Sequence, residues 1–172
     1  DYTGAMRLGL AREAVSRIGT PVSRTGTRRL DDFNRVSAAN NLGNALMRVD
    51  KFAEAADVLT GVLAAAKQVY GNEHQNTLAA TTNLAATYSV QGKLAEAEEL
   101  QVWVLEASGR VNGKEHPGTL NATTNLAGTY SEQGKHEEAE VLQVAVLAVM
   151  TRVQGKEHRD TLGAATNLAN TH

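Results

Sequence analysis

Histidine recurs at one fixed spacing in this chain. His74, His116 and His158 lie 42 residues apart, and imidazole is both a common metal ligand and a common general base. Three histidines could share a zinc ion only if their nitrogens came within about 2 Å of it. If each histidine belongs to a separate helical unit, successive copies lie roughly 10 Å or more apart. The spacing therefore favours helix caps or connector residues over a metal or catalytic site.

No other combination of residues indicates catalysis. Gly113-Lys114 and Gly155-Lys156 lack the second glycine and the Ser/Thr of a phosphate-binding loop, and no nucleophile, base and orienting group form a recognisable set. The chain has no cysteine and a net charge of −2, which excludes thiolate metal sites and gives no general attraction to nucleic acid or anionic membranes. We expect neither an enzyme nor a cofactor. No apolar run is long enough to span a membrane and no signal peptide is recognisable, so a cytoplasmic location is the default expectation.

Asparagine recurs at the same spacing as histidine. The pattern Thr-Leu-x-Ala-x-Thr-Asn-Leu-Ala begins at Thr77, Thr119 and Thr161, and a looser copy precedes them. The asparagines in these four copies are Asn41, Asn83, Asn125 and Asn167. A primary amide offers two donors and an acceptor, so it can pair with both the N–H and the C=O of a peptide unit.

Each 42-residue repeat is predicted to form two helices. In the first, Thr81, Leu84 and Tyr88 recur at intervals of three and four residues, which indicates one buried helical face. Gly92 can adopt the left-handed conformation that ends helices, and a second helix follows from about 94 to 111. At 100° per residue, Asn83 points about 150° away from the buried face. No segment alternates with period two, so we expect an all-α protein.

The repeats divide the chain into six segments. Residues 1–18 are expected to be the second helix of a truncated unit, and 19–34 a connector loop containing several arginines. Complete units are expected at 35–76, 77–118 and 119–160, and the first helix of a truncated unit at 161–172. The two terminal helices would each leave an apolar face uncovered. These faces are complementary, so head-to-tail contacts between molecules are expected.

The repeated unit resembles the tetratricopeptide signature, because Leu84-Ala85-x-x-Tyr88 is followed by Ala97. The 42-residue period and the segment Gly-Lys-Glu-His-Pro-x-Thr-Leu over 113–120 are similar to the longer variant of kinesin light chains. The resemblance implies a right-handed superhelical solenoid of antiparallel helix hairpins whose first helices line a concave groove. It does not extend to the heptad coiled coil of those proteins. In one further departure, Arg159 replaces the proline that follows His116 in the preceding repeat.

The resemblance also implies a ladder of amides that binds an extended peptide in this groove. The first helices carry no charged residue from Thr77 to Ser89 or from Thr119 to Ser131, so an uncharged peptide is expected. The candidate peptide-binding residues are Asn41, Asn44, Thr82, Asn83, Asn121, Thr124, Asn125, Thr166, Asn167 and Asn170. Two alternatives stay open: the asparagines could bond to neighbouring helices, and the array could be a structural spacer or self-assembling element.

Overall fold

The structure, a computed structural model, describes residues 26–169 and, before them, only positions 9 and 13. Residues 26–169 form seven α-helices and no strand. The helices are α1 (Gly26–Arg48), α2 (Phe52–Tyr70), α3 (Gln75–Val90), α4 (Leu94–Asn112), α5 (Pro117–Glu132), α6 (His136–Gln154) and α7 (Arg159–Ala169). We call α1, α3, α5 and α7 the first-type helices and the other three the second-type helices. The chain divides into two compact units, unit 1 over 1–93 and unit 2 over 94–172.

In unit 1, α2 packs against both α1 and α3. Its buried side chains recur at the three- and four-residue intervals of a helix, and two of them, Leu59 and Val62, are fully inaccessible to solvent. A close approach to α1 occurs at Gly43, where a side-chain Cβ would lie 2.5 Å from Cδ2 of Leu59. Glycine at position 43 therefore lets the two helices pack closely.

In unit 2, α5 packs against α4 and α6, and α7 packs against α6. Helices α4, α5 and α6 contribute small or branched apolar side chains to the core, such as Val104, Leu126 and Val146, whereas the buried residue of α7 is Thr161. Three buried residues of the second-type helices are polar: Gln101, Ser108 and Gln143.

The turns that follow α3 and α5 end these helices by the predicted glycine mechanism, whereas Asp50, with a φ of 59°, takes the glycine position after α1. Gly92 has a φ of 74° and Gly134 a φ of 77°, in the left-handed region that glycine adopts without steric cost. The following amide closes each turn, since the N–H of Lys93 donates to the carbonyl of Tyr88 and that of Lys135 to Tyr130, both at 2.9 Å. This is the C-terminal pattern of a Schellman motif.

The recurrent histidines cap the following helices, as the spacing predicted. Nδ1 of His74 accepts a hydrogen bond from the backbone N–H of Asn76 at 3.1 Å, and Nδ1 of His116 accepts one from Gly118 at 3.0 Å. His158 repeats the contact with Asp160 at 3.3 Å. These bonds satisfy an N–H group that has no partner within the helix, so α7 is capped without a proline.

An ion pair joins the start of α4 to the turn between α5 and α6. Nζ of Lys135 lies 2.8 Å from a carboxylate oxygen of Glu98, and Nε2 of Gln133 donates to the same oxygen at 2.9 Å. The hydrogen bond from Lys135, together with that from Gln133, lowers the pKa of Glu98, while Glu98 raises the pKa of Lys135.

The connector expected over 19–34 differs from the structure. Helix α1 begins at Gly26, so the expectation of a loop is wrong for residues 26–34. Arginine is a good helix former, and the charges that suggested a loop are compatible with a helix. The helix expected over 1–18 lies outside the described residues except at positions 9 and 13, as does the end of the chain from Asn170. No helix among the described residues is long and apolar enough to cross a membrane.

Candidate peptide-binding groove

In unit 1 the amide of Asn83 bonds to a second amide. Nδ2 of Asn83 donates to Oδ1 of Asn40 at 3.1 Å, which links α3 to α1. Both side chains are half-buried. The bond uses one of the two N–H donors of Asn83 and fixes the orientation of its amide. One member of the predicted ladder therefore makes the contact to a neighbouring helix that the alternative interpretation proposed.

The partner of Asn83 is not the residue that the repeat predicted. Asn41 occupies the equivalent position in α1 and is exposed, whereas Asn44 is half-buried. Asn40 aligns with Thr82, one residue earlier in the repeat, so the 42-residue comparison missed it. In the sequence, only the adjacent pair Asn40-Asn41 could have indicated that Asn40 is the partner.

Unit 2 contains a groove between the first-type helices α5 and α7, with a volume of about 540 Å³. Three predicted residues line it together: Asn121, Thr124 and Asn167. Asn125 is exposed on α5 but does not belong to this lining. The structure thus brings part of the predicted set together in one concave site, which we call the α5–α7 groove.

The threonine hydroxyls predicted along the groove already donate hydrogen bonds. Oγ1 of Thr82 bonds to the carbonyl of Leu78 at 2.9 Å, and Oγ1 of Thr124 bonds to that of Leu120 at 3.0 Å. Thr166 makes the same bond to the carbonyl four residues earlier. Because the hydroxyl proton is used within the helix, each oxygen can offer a ligand only an acceptor.

Two charged residues line the α5–α7 groove, contrary to the expectation of an uncharged surface. Arg159 and Asp160 lie in the first turn of α7 and border the groove. They occupy the positions of Pro117 and Gly118 in the preceding repeat. These positions lie before the repeated Thr-Leu segment, from which the uncharged surface was predicted. The groove is therefore neutral in net charge but has a guanidinium and a carboxylate at one end.

Small residues leave space beside the predicted amides. A Cβ added at Gly128 or at Gly163 would meet no atom within 4 Å, and Ala79 and Ala86 are exposed on α3. A peptide backbone can therefore approach these helices closely. Within the described part of the chain, no three His, Cys, Asp or Glu side chains are grouped to hold a metal ion.

The chain forms antiparallel helices that repeat with a 42-residue period, and a histidine caps each of α3, α5 and α7. These features define a helical-repeat protein. A family model described as tetratricopeptide repeat matches residues 34–109 and 79–143. The chain belongs to the tetratricopeptide repeat family. No curated protein sequence matches it.

Solved structures support the variant as well as the family. The chain is similar to a Podosopora anserina protein described as a kinesin light chain with nearly identical TPR-like repeats, at 26% identity and a TM-score of 0.73, covering 97% of this chain and 76% of that one. A glutamine-to-methionine variant of that protein gives a TM-score of 0.75 at the same identity and coverage. BtubC (BKLC) from P. vanneervenii has a TM-score of 0.77 at 19% identity, covering 95% of this chain and 63% of that chain, which shows the fold alone.

These comparisons confirm the predicted fold class, an all-α array of antiparallel helix hairpins of the tetratricopeptide type, and its kinesin-light-chain-like period. A protein-interaction scaffold is the general role that this fold supports.

Proposed function

We propose that this chain is a protein-interaction module that binds an extended peptide segment in the groove between the first-type helices α5 and α7, and that it is not an enzyme. The observation that carries the proposal is the α5–α7 groove, which gathers Asn121, Thr124 and Asn167 around about 540 Å³ of space. Grooves of this size between helices are ordinary ligand sites. A cytoplasmic location is part of the proposal.

The lining residues suit the backbone of a peptide. An asparagine amide can donate to a peptide carbonyl and accept from a peptide N–H, while Thr124 offers an acceptor. Gly163 removes the side chain that would keep the peptide at a distance. Backbone pairing tolerates many sequences, so selectivity comes from the ends of the groove, where Arg159 and Asp160 can pair with charged side chains of the ligand.

The test begins with a peptide captured by this chain from its own proteome and titrated by calorimetry. Replacing Asn121 and Asn167 together by alanine removes two neutral hydrogen-bonding groups, each contributing about 0.5–1.5 kcal/mol, so affinity should fall by roughly one to two orders of magnitude. Asn72→Ala, in the exposed connector before α3, is the control and should bind as the wild type does. Equal affinity of the double variant and the wild type, at matched melting temperatures, would refute the role of the amides.

A structural role for the asparagines is the second candidate, and the hydrogen bond between Asn83 and Asn40 favours it. In that case the array is a spacer, and substitutions at the repeated position lower stability without changing any affinity. Measuring unfolding and binding on the same variants distinguishes the two functions.

The predicted head-to-tail self-association remains a proposal, and the N-terminal face that it requires lies outside the described residues. On α6 and α7, Val141, Val144 and Leu162 are between 47% and 69% exposed. Exposed apolar side chains on two packed helices can form part of an interaction surface. We propose that a second copy covers them.

A further inference from the structure

Unit 2 has a second cavity, of about 610 Å³, that is separate from the peptide groove. It lies between the second-type helices α4 and α6, and residues of α5 form its floor. Its walls are mainly aliphatic, with Leu105 from α4, Leu120 from α5, and Leu142, Val146 and Val149 from α6. Apart from Leu120, the two cavities have no lining residue in common. We call this cavity the α4–α6 cleft.

A glycine leaves free space at the wall of the α4–α6 cleft that α4 forms. Gly109 lies within α4 and lines the cleft, and a Cβ at this position would meet nothing within 4 Å. Glycine inside a helix is less stable than alanine, and no packing of the described residues requires it. The equivalent positions in the other second-type helices are Lys67 and Thr151. Among the second-type helices, therefore, only α4 has no side chain at this position of the repeat.

The polar groups of the cleft are nearly all engaged. Oγ1 of Thr119 donates to the carbonyl of Gly113 at 2.8 Å, and Oγ1 of Thr123 donates to that of Thr119 at 2.9 Å. Glu106 lies 4.0 Å from Arg110. Lys114 also lines the cleft, and it forms no ion pair with the carboxylates whose side chains the structure describes. The cleft thus combines aliphatic walls with one uncompensated cation.

The size of the cleft favours a small ligand over a protein. Leu142 to Val149 spans seven helical steps of 1.5 Å, or about 10 Å. A stable protein interface buries about 800 Å² on each partner, which is far more than a cleft of this length can supply. Apolar cavities of about 300–1,000 Å³ with a few charged or polar groups are typical of small-molecule sites.

We propose that the α4–α6 cleft binds an anionic amphiphile of low molecular weight. Its aliphatic chain lies between α4 and α6 in contact with Leu105, Leu142 and Val146, and passes close to the backbone at Gly109. Its carboxylate, or a comparable anionic group, pairs with the ammonium group of Lys114 at the mouth of the cleft. This site is independent of the peptide groove, so a negative result at one site would leave the proposal for the other unaffected.

Decanoate is the probe, titrated into the whole chain by isothermal calorimetry below its micelle-forming concentration. We expect saturable binding with one site per chain. Decyltrimethylammonium, which has the same chain length and the opposite charge, should bind at least tenfold more weakly because it cannot pair with Lys114. Lys114→Gln should weaken decanoate binding by about tenfold, as expected for a hydrogen bond to a charged group. Lys156→Gln, at the equivalent position of the next repeat, should leave it unchanged.

Gly109→Leu tests the apolar part of the site. Because the added side chain enters open space, the variant should fold with a melting temperature equal to or above that of the wild type, and decanoate binding should be abolished. The absence of saturable decanoate binding to the wild type would overturn the proposal. Unchanged binding in both Gly109→Leu and Lys114→Gln would also overturn it, as would equal binding of the anionic and cationic amphiphiles. If a peptide or protein bound in the cleft and decanoate did not, the ligand would be a macromolecule and the proposal of a small ligand would be wrong.

Discussion

At the scale of single residues, the hydrogen bond between Asn83 and Asn40 predicts different outcomes for two members of the asparagine series. Asn83→Ala removes the donor and leaves Oδ1 of half-buried Asn40 without its partner. The free energy of unfolding should fall by about 1 kcal/mol. Asn125→Ala, at an exposed equivalent position, should change it by less than about 0.5 kcal/mol. Urea unfolding measures both, and equal effects would contradict the structural role assigned to Asn83.

The histidine caps give a second prediction at this scale. His116→Ala removes the acceptor of the Gly118 N–H group and should destabilise the chain by about 0.5–2 kcal/mol, the usual effect of losing a cap. His116→Asp restores an acceptor and adds a negative charge at the helix N-terminus, so stability should return to at least the wild-type value. Thermal unfolding of the two variants provides the measurement. Similar losses in both would show that the imidazole acts by a contact other than the cap.

The sequence predicted the role of an individual residue correctly where that role depends only on its neighbours along the chain. Capping by histidine follows from its position just before each first helix, and the structure confirms it. The partner of Asn83 could not be predicted, because it depends on the rotation of α1 relative to α3 and falls one residue away from the repeat position. Arg159 and Asp160 line the groove because they replace Pro117 and Gly118 at the start of the helix, a difference that lies outside the repeated Thr-Leu segment.

At the scale of helices, two glycines predict effects of opposite sign. In Gly43→Ala the new methyl group would lie 2.5 Å from Cδ2 of Leu59, a fully buried side chain that has little space to move. We expect a loss of about 1–3 kcal/mol in the free energy of unfolding. Gly128→Ala adds a methyl group in open space on α5 and should gain about 0.5–1 kcal/mol from helix propensity. Denaturant unfolding of each variant checks the signs; a gain at both positions would mean that α1 and α2 are packed less closely than described.

The cluster of Glu98, Gln133 and Lys135 gives a prediction about pH. Since the pKa of Glu98 is lowered from 4.5 in the folded state, mainly by the hydrogen bond from Lys135, its contribution to stability is present at neutral pH. That contribution is lost as the pH falls below 4.5 through the folded-state pKa. Glu98→Gln should therefore destabilise the chain at neutral pH and have a smaller effect at about pH 3. Urea unfolding at both pH values tests this, with Glu99→Gln as an exposed control on the same helix.

The helices themselves were largely predictable. The second helix expected from about 94 to 111 is α4 (Leu94–Asn112), because its boundaries are set by Gly92 and by the break before Pro117. The start of α1 was not predictable from the repeat, since residues 26–34 have no counterpart in the other units. There the arginine content suggested a loop, although the same residues have good helix propensity.

At the scale of the whole molecule, the constant period was the most informative signal. Four asparagines at one spacing predicted hairpins of 42 residues, and the tetratricopeptide family match confirms the fold. The ligand-binding surface was less predictable, because a groove depends on the spacing between helices. The α4–α6 cleft shows this, since its apolar lining residues have the same pattern in the sequence as ordinary core residues.

Two exposed apolar side chains allow the proposed contact between molecules to be tested. Leu162 on α7 is 54% exposed, and Val141 on α6 is 69% exposed. If a second copy covers these side chains, sedimentation velocity should show a weight-average mass that rises with concentration. Leu162→Glu should keep the chain monomeric, because burying an unpaired carboxylate in an apolar contact is unfavourable.

Val90→Glu provides the matched control for this experiment. Val90 is also 54% exposed but lies at the end of α3 in unit 1, whereas Leu162 lies on α7 in unit 2. The substitution changes the net charge equally, so a general effect of charge repulsion would reduce association in both variants. Only the proposed surface predicts that Leu162→Glu abolishes association while Val90→Glu preserves it. A wild-type chain that stays monomeric at high concentration would show that the exposed side chains do not mediate self-association, and the contact between copies would then be withdrawn without affecting the peptide groove.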